Sequence, residues 1–268
     1  MRRTLARQGP RSVPTMGGVS ERQIAVSAPV FLAAADRLVA DHVVLDGPEG
    51  RHAATVRRLR RGERVDLTDG AGLLAECVVT AADRDALRLD VVARHRHAAP
   101  EPRLVVVQAL PKGDRGELAV ELMTEAGVDE IVPWAAARCV TRWRPERREK
   151  SLARWRVTAR EAGKQARRAW LPEVSEPATT AQVTARIGAA AAAFVLHETA
   201  TASLGAIDPP DVGEIVIVVG PEGGLTEAEI EAFTAVGGRP ALLGPTVLRT
   251  STAGVVAAAV LLSRTGRW

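Results

Sequence analysis

The chain has 268 residues, of which 46% are hydrophobic and 25% charged, with a formal net charge of +4 and only two cysteines. This length exceeds a single domain of roughly 100 to 200 residues, so two domains are expected, with apolar content sufficient for a core in each. The best apolar stretch, Thr252 to Ser263, is shorter than the ~18 residues a membrane span needs, and Cys77 and Cys139 stand far apart in apolar contexts, so a membrane protein, a disulfide framework and a zinc site are set aside in favour of a soluble protein of the reducing cytoplasm.

Residues 1–22 carry Arg2, Arg3, Arg7 and Arg11 among prolines and glycines and lack the apolar core of a secretory signal. A disordered extension is expected there. Its composition also suits a transit peptide, although no clear amphipathic helix accompanies it, and Met16 offers a second start. A first domain over 23–98 follows, where short apolar runs alternate with turn signals: His42 to Leu45, Arg64 to Leu67, Leu73 to Val79 and Ala86 to Val92. That spacing predicts a small β-barrel, with Asp69-Gly70 as a hairpin turn because glycine tolerates a positive φ. One helix, roughly Gly50 to Leu59, is expected to turn Ala53, Val56 and Leu59 inward and leave Arg57, Arg58, Arg60 and Arg61 in solvent. His95 and His97 are read as solvated linker histidines, because no further Cys or His lies near enough to complete a metal site.

Pro100 and Pro102 mark an interdomain linker, since two prolines this close discourage both helix and central strand. Over 99–268 the pattern changes to strands alternating with helices. Strands are predicted at Leu104–Ala109, Glu130–Trp134, Ala191–His197, Glu214–Val219 and Ala241–Leu243. Helices are predicted at Glu117–Glu125, Glu146–Arg168, Thr180–Ile187, Thr226–Thr234 and Ser251–Ser263. Near-continuous apolar strands of this kind imply a mostly parallel sheet covered on both faces, an α/β domain.

Charge is unevenly distributed. Arg138 to Arg168 contains twelve Arg or Lys against three Glu, and Arg51 to Arg64 six Arg against one Glu, so the remainder of the chain is acidic. Concentrated positive charge on an otherwise acidic protein focuses its field where phosphates would lie, which points to a nucleic acid partner. The candidate contacts are Arg51, Arg57, Arg58, Arg60 and Arg64 in the first domain and Arg138, Arg142, Arg160 and Arg168 in the second.

Two glycine-bearing turns carry the chemistry. Gly220-Pro221-Glu222-Gly223-Gly224 ends an apolar strand and leads to Thr226, which with Glu229 three residues later forms a capping box. Leu243-Gly244-Pro245-Thr246-Val247-Leu248-Arg249 leads to the last helix. Turns at the carboxyl ends of parallel strands present unpaired backbone groups, the usual ligand site of open α/β sheets. Neither matches the phosphate-binding loop of nucleotide hydrolases or the dinucleotide fingerprint. Glu222 is not needed for its turn, and Arg249 places a cation against a helix N-terminus, an unfavourable position that hints at a ligand.

These residues resemble the RsmE family of SPOUT-type RNA methyltransferases. Besides the two turns, His52 to Glu63 is similar to that family's PUA-like barrel, Lys112-Gly113-Asp114-Arg115 leading to Thr124-Glu125-Ala126-Gly127-Val128 to the start of its catalytic domain, and Glu161 to Arg168 to its Glu-x-x-x-Gln-x-x-Arg helix. The resemblance implies a SPOUT domain with a deep trefoil knot, a homodimer packed through the knotted region, and methylation of uridine N3 in small-subunit (16S) ribosomal RNA. It implies S-adenosylmethionine as cofactor, held by Leu196, His197 and Glu198, by Val219, Gly220, Gly223 and Gly224, and by Leu243, Gly244, Val247 and Leu248, with no metal. Glu222 and Arg249 become the candidate catalytic residues. Two positions depart from the family pattern: Ser251 stands where Glu is common, and Ala126 replaces a common Leu. A 2′-O-ribose methyltransferase of the same fold, and a non-catalytic ribosome-assembly factor, are the alternative readings.

Overall fold

The computed structural model describes residues 28–268; the expected extension over residues 1–22 and the alternative start lie outside them. The first domain is a five-stranded sheet built from β1 (Val30–Leu32), β2 (His42–Leu45), β3 (Arg64–Thr68), β4 (Leu73–Ala82) and β5 (Leu87–Arg96), in the order β1-β3-β4-β5-β2. Along β4 alternate residues are buried, as a sheet with one packed face requires. Phe31, Val43, Val65, Leu67, Cys77 and Leu89 join in its core. The three-residue β1 was not legible in the sequence, and it pairs parallel with β3.

The expected basic helix is α1 (Gly47–Arg51), which widens into a π-type turn over His52–Val56, closed by Arg57 N–H donating to His52 O at 2.9 Å. Widening changes the angular advance per residue, so Ala53 is buried but Val56, expected to face inward, is 67% exposed. His95 belongs to β5 rather than to the linker, and its Nε2 lies 2.9 Å from Glu76.

The second domain is a six-stranded, wholly parallel sheet, in the order β11-β9-β10-β6-β7-β8. Its strands are β6 (Arg103–Ala109), β7 (Glu130–Trp134), β8 (Glu173–Val174), β9 (Ala192–Leu196), β10 (Glu214–Val219) and β11 (Arg239–Ala241). Every residue of β7 is buried, so both faces of the sheet are covered. Helices α2 (Arg115–Ala126), α3 (Pro145–Gln165) and α6 (Thr250–Leu262) pack as one group, and α4 (Thr180–Ala189) against α5 (Glu227–Ala235) as another. Helix α3 stops short of the predicted Arg168, where Arg167 takes a positive φ.

β11 lies at the sheet edge, two residues earlier than expected, whereas α6 packs on the central strands β10 and β6 and on α2. Between them the chain passes the connection that follows β9: Leu242 N–H donates to Ala202 O at 2.8 Å, and Leu242 O accepts from Leu204 N–H at 2.9 Å. This return from the edge to the middle of the sheet is the path expected of the knotted class.

Candidate active site

The strand directions fix where a ligand can go. Because all six strands are parallel, the carboxyl ends of β6, β9, β10 and β11 open on one edge, and a cavity of about 1240 Å³ lies there. Leu196, His197 and Glu198 after β9, Val219, Gly220, Glu222, Gly223 and Gly224 after β10, and Leu243, Gly244, Val247, Leu248 and Arg249 after β11 all line it.

Each loop is held by identifiable bonds. After β9, His197 N–H donates to Ala241 O at 3.1 Å, and His197 Nδ1 lies 2.9 Å from the Thr199 hydroxyl. After β10, Gly224 N–H donates to Pro221 O at 2.9 Å and Gly224 adopts φ +71°, a conformation that excludes most side chains. Gly223 is tightly seated: a Cβ there would lie 3.1 Å from Arg138 Cβ and 3.2 Å from Arg138 O, and the Arg138 segment would have to give way. The capping box is formed, Thr226 Oγ1 accepting from Glu229 N–H and Glu229 Oε2 accepting from Thr226 N–H.

The turn before α6 differs from expectation in its cap. Arg249 itself occupies the N-cap position, so α6 begins one residue before the predicted Ser251, and no side chain caps the helix. Thr250 and Ser251 are buried, and Thr250 lines the cavity. The first N–H groups of α6 therefore have no side-chain acceptor, which suits a helix end facing a ligand. The Arg249 side chain is exposed and makes no ion pair or hydrogen bond among the described residues.

The segment Lys112–Arg115, which leads into α2, also lines the cavity and was not among the predicted site residues. Glu222 Oε1 accepts a hydrogen bond from Lys112 N–H at 3.1 Å, joining two segments 110 residues apart. The Lys112-Gly113-Asp114-Arg115 motif was visible in the sequence, but its partner was not.

The predicted RNA contacts separate into three kinds. Arg57, Arg58 and Arg60 are exposed and their guanidinium groups pair with no carboxylate among the described residues, with Arg58 at φ +54°. Arg51 faces Asp85 at 3.5 Å, Arg64 faces Glu76 at 2.6 Å and Arg160 faces Glu161 at 3.2 Å, all at the surface, while Arg142 donates to Ala137 O. Arg168 is a correction. Its side chain is 11% exposed, donates to Thr124 O and Val128 O and pairs with Asp129, so it braces the domain interior and cannot meet a phosphate. Burial, partly offset by Asp129, lowers its pKa to about 10, so it remains protonated at neutral pH. Arg138 lines the cavity and donates to Gly223 O and Leu225 O.

A family model described as an RNA methyltransferase domain matches residues 99–262, and one described as an RNA methyltransferase PUA domain matches residues 45–92. The chain is 48% identical over 229 residues to the ribosomal RNA small subunit methyltransferase E of Mycobacterium bovis, covering 84% of this chain and 87% of that one. To the protein of the same name from Bacillus subtilis it is 30% identical over 229 residues, covering 82% and 90%. The crystal structure of a ribosomal RNA small subunit methyltransferase E from Neisseria gonorrhoeae bound to S-adenosyl methionine matches with a TM-score of 0.76 at 26% identity, covering 88% of this chain and 98% of that one.

Proposed function

The chain belongs to the RNA methyltransferase family of ribosomal RNA small subunit methyltransferase E, and from that membership we propose how its own residues share the work. It methylates small-subunit ribosomal RNA, with S-adenosylmethionine as the methyl donor. The residues present suit that donor: the cavity is ample for a nucleoside-sized ligand, and the uncapped N-terminus of α6 faces it. Leu196 to Glu198, Val219 to Gly224 and Leu243 to Leu248 would hold it.

The donor supplies an electrophilic methyl group on a sulfonium; alignment and proton management fall to the chain. We assign uridine N3 as the acceptor. N3 gains the methyl carbon as the sulfur–carbon bond breaks, and it must lose its proton. Arg249, a cation at the cavity wall with no intramolecular partner among the described residues, would stabilise the negative charge spreading over the uracil carbonyl oxygens. Glu222, its carboxylate steadied by Lys112 N–H, would order the donor or receive the proton. N3 lies on the Watson–Crick edge, so the base must be presented unpaired or flipped out.

Arg57, Arg58 and Arg60 on the barrel, with Arg142 and Arg160 on the second domain, would hold the flanking phosphates. A homodimer through the α6 region and a cytoplasmic location complete the reading. The observation that carries it is the convergence on one cavity of both catalytic candidates with every predicted donor-binding residue.

Methyl transfer from labelled S-adenosylmethionine to unmodified small-subunit RNA or assembled subunits tests it. Arg249→Ala is expected to lower kcat by about 100-fold while donor binding persists, in line with loss of one charge-stabilising group. Glu222→Gln is expected to lower turnover as well. Wild-type turnover in both variants would overturn the assignment, and nucleoside mass spectrometry lacking 3-methyluridine in the product would overturn the choice of N3.

A further inference from the structure

The turn Gly220–Leu225 is gripped from outside the three cavity loops. The segment 136–142, between β7 and α3, lies against its back. Arg138 Nη1 donates to Gly223 O at 3.3 Å and to Leu225 O at 3.0 Å. One guanidinium nitrogen thus spans two carbonyls two residues apart. Gly223 packs closely on Arg138 Cβ and O, so that a side chain there would crowd both.

The segment carrying Arg138 is itself fixed. Glu229, 4% exposed in α5, accepts from Ala137 N–H through Oε1 at 2.8 Å, while its Oε2 accepts from Thr226 N–H and from the Thr226 hydroxyl, each at 2.8 Å. Arg142 Nη2 donates to Ala137 O at 3.0 Å. A buried carboxylate thus serves both as the helix cap and as the tether of the neighbouring segment, and the turn, the cap and the segment form one hydrogen-bonded unit.

From this geometry we propose that Arg138 is a positioning residue for the donor-binding turn, acting through the carbonyls of Gly223 and Leu225, and is not a phosphate contact. The assignment rests on the reading of the cavity as the S-adenosylmethionine site. A surface arginine that serves RNA needs only its charge in the right region. Here the guanidinium is engaged with backbone carbonyls whose placement sets the shape of the cavity wall.

Two measurements on the full chain separate the roles: donor affinity by calorimetry with S-adenosylmethionine, and the salt dependence of RNA binding. Arg138→Ala is expected to raise both the Kd and the KM for S-adenosylmethionine about tenfold, as loss of the paired hydrogen bonds implies. The slope of RNA affinity against salt and kcat at saturating donor should stay at wild-type values. Arg138→Lys, which preserves charge but whose ammonium ends one bond short of the Nη1 position, should remain defective in donor affinity.

Wild-type donor affinity in Arg138→Ala would overturn the proposal. So would rescue by lysine accompanied by an alanine variant whose salt slope falls by about one, the signature of a lost phosphate contact. Failure of the wild-type chain to bind S-adenosylmethionine would be a separate result, removing the donor-site reading on which the proposal stands.

Discussion

Ser251, the second residue of α6, is 2% exposed, and its hydroxyl has no hydrogen-bond partner among the described residues. Beneath the same helix end, Gln108 donates through Nε2 to Ala109 O and Thr250 O, but its Oε1 is likewise bare. A buried polar atom without a partner costs about 1–3 kcal/mol relative to one that is satisfied, so serine here is not a cap but a liability. Ser251→Ala is therefore expected to stabilise the isolated chain by about 1 kcal/mol in urea unfolding. A destabilised variant would mean that the hydroxyl has a partner in solution. Single residues also marked the limit of sequence reading. Arg168 sits in a strongly basic run, and its charge does not distinguish it from arginines at the surface; only the fold brings Asp129 and the carbonyls of Thr124 and Val128 around it.

At the scale of elements, the two edges of the parallel sheet do different work. The carboxyl edge carries the cavity, and the amino edge carries an ion network. Glu130 at the start of β7 receives Arg186 of α4 through both oxygens, at 2.6 and 2.5 Å, along with Arg103 from β6 at 2.8 Å and the Ser175 hydroxyl, while Arg186 also holds Glu214 of β10 at 2.7 Å. Burial pushes the Glu130 carboxyl up, but the bonds from Arg186 and Ser175 and the charges of Arg186 and Arg103 outweigh it, leaving its pKa below the ordinary 4.5. A carboxyl whose folded-state pKa is depressed contributes stability above its unfolded value and loses it as pH falls through the folded one. Glu130→Gln should thus cost about 3 kcal/mol at neutral pH, the scale of a broken buried pair. The gap from wild type should narrow as unfolding is measured at pH values below 4.5, and a gap independent of pH would contradict the role given to the ionised carboxylate. Most of these elements were legible, because long apolar strands and strong caps are local signals. The short β1 and β8 were not: three and two residues carry no period, and their pairing is decided by strands far away in sequence.

At the scale of the molecule, the two domains meet in a largely buried ionic contact. Lys164 of α3, 4% exposed at its side chain, donates to Glu49 of α1 at 2.9 Å and to Glu161 at 3.0 Å, with its ammonium 5.8 Å from the centre of the Phe31 ring. The hairpin turn after β3 grips the segment following α3, Gly72 N–H donating to Ala169 O and Gly70 O accepting from Leu171 N–H, each at 2.9 Å. The barrel is thereby fixed relative to the cavity, so that arginines on one domain and the reacting base on the other can be addressed by a single RNA. Lys164→Met leaves Glu49 without its charge partner, and a loss of about 3 kcal/mol is expected. Differential scanning calorimetry should then resolve separate barrel and catalytic-domain transitions, and RNA affinity should drop with donor affinity retained. One sharp transition at the wild-type temperature would refute the coupling. The sequence identified both domains but not this contact, because Glu49 and Lys164 lie 115 residues apart and each is an ordinary charged residue in its own helix.

The cavity also has an order of construction. Helix α6 and the turn before it follow every other element that lines the cavity, and they seat on Gln108, laid down 142 residues earlier. During translation the barrel and the first strands of the sheet can take shape while Arg249 is still inside the exit tunnel. A nascent chain therefore completes its barrel before the last wall of the cavity exists, and no part of the cavity that needs α6 can form until that helix has left the tunnel.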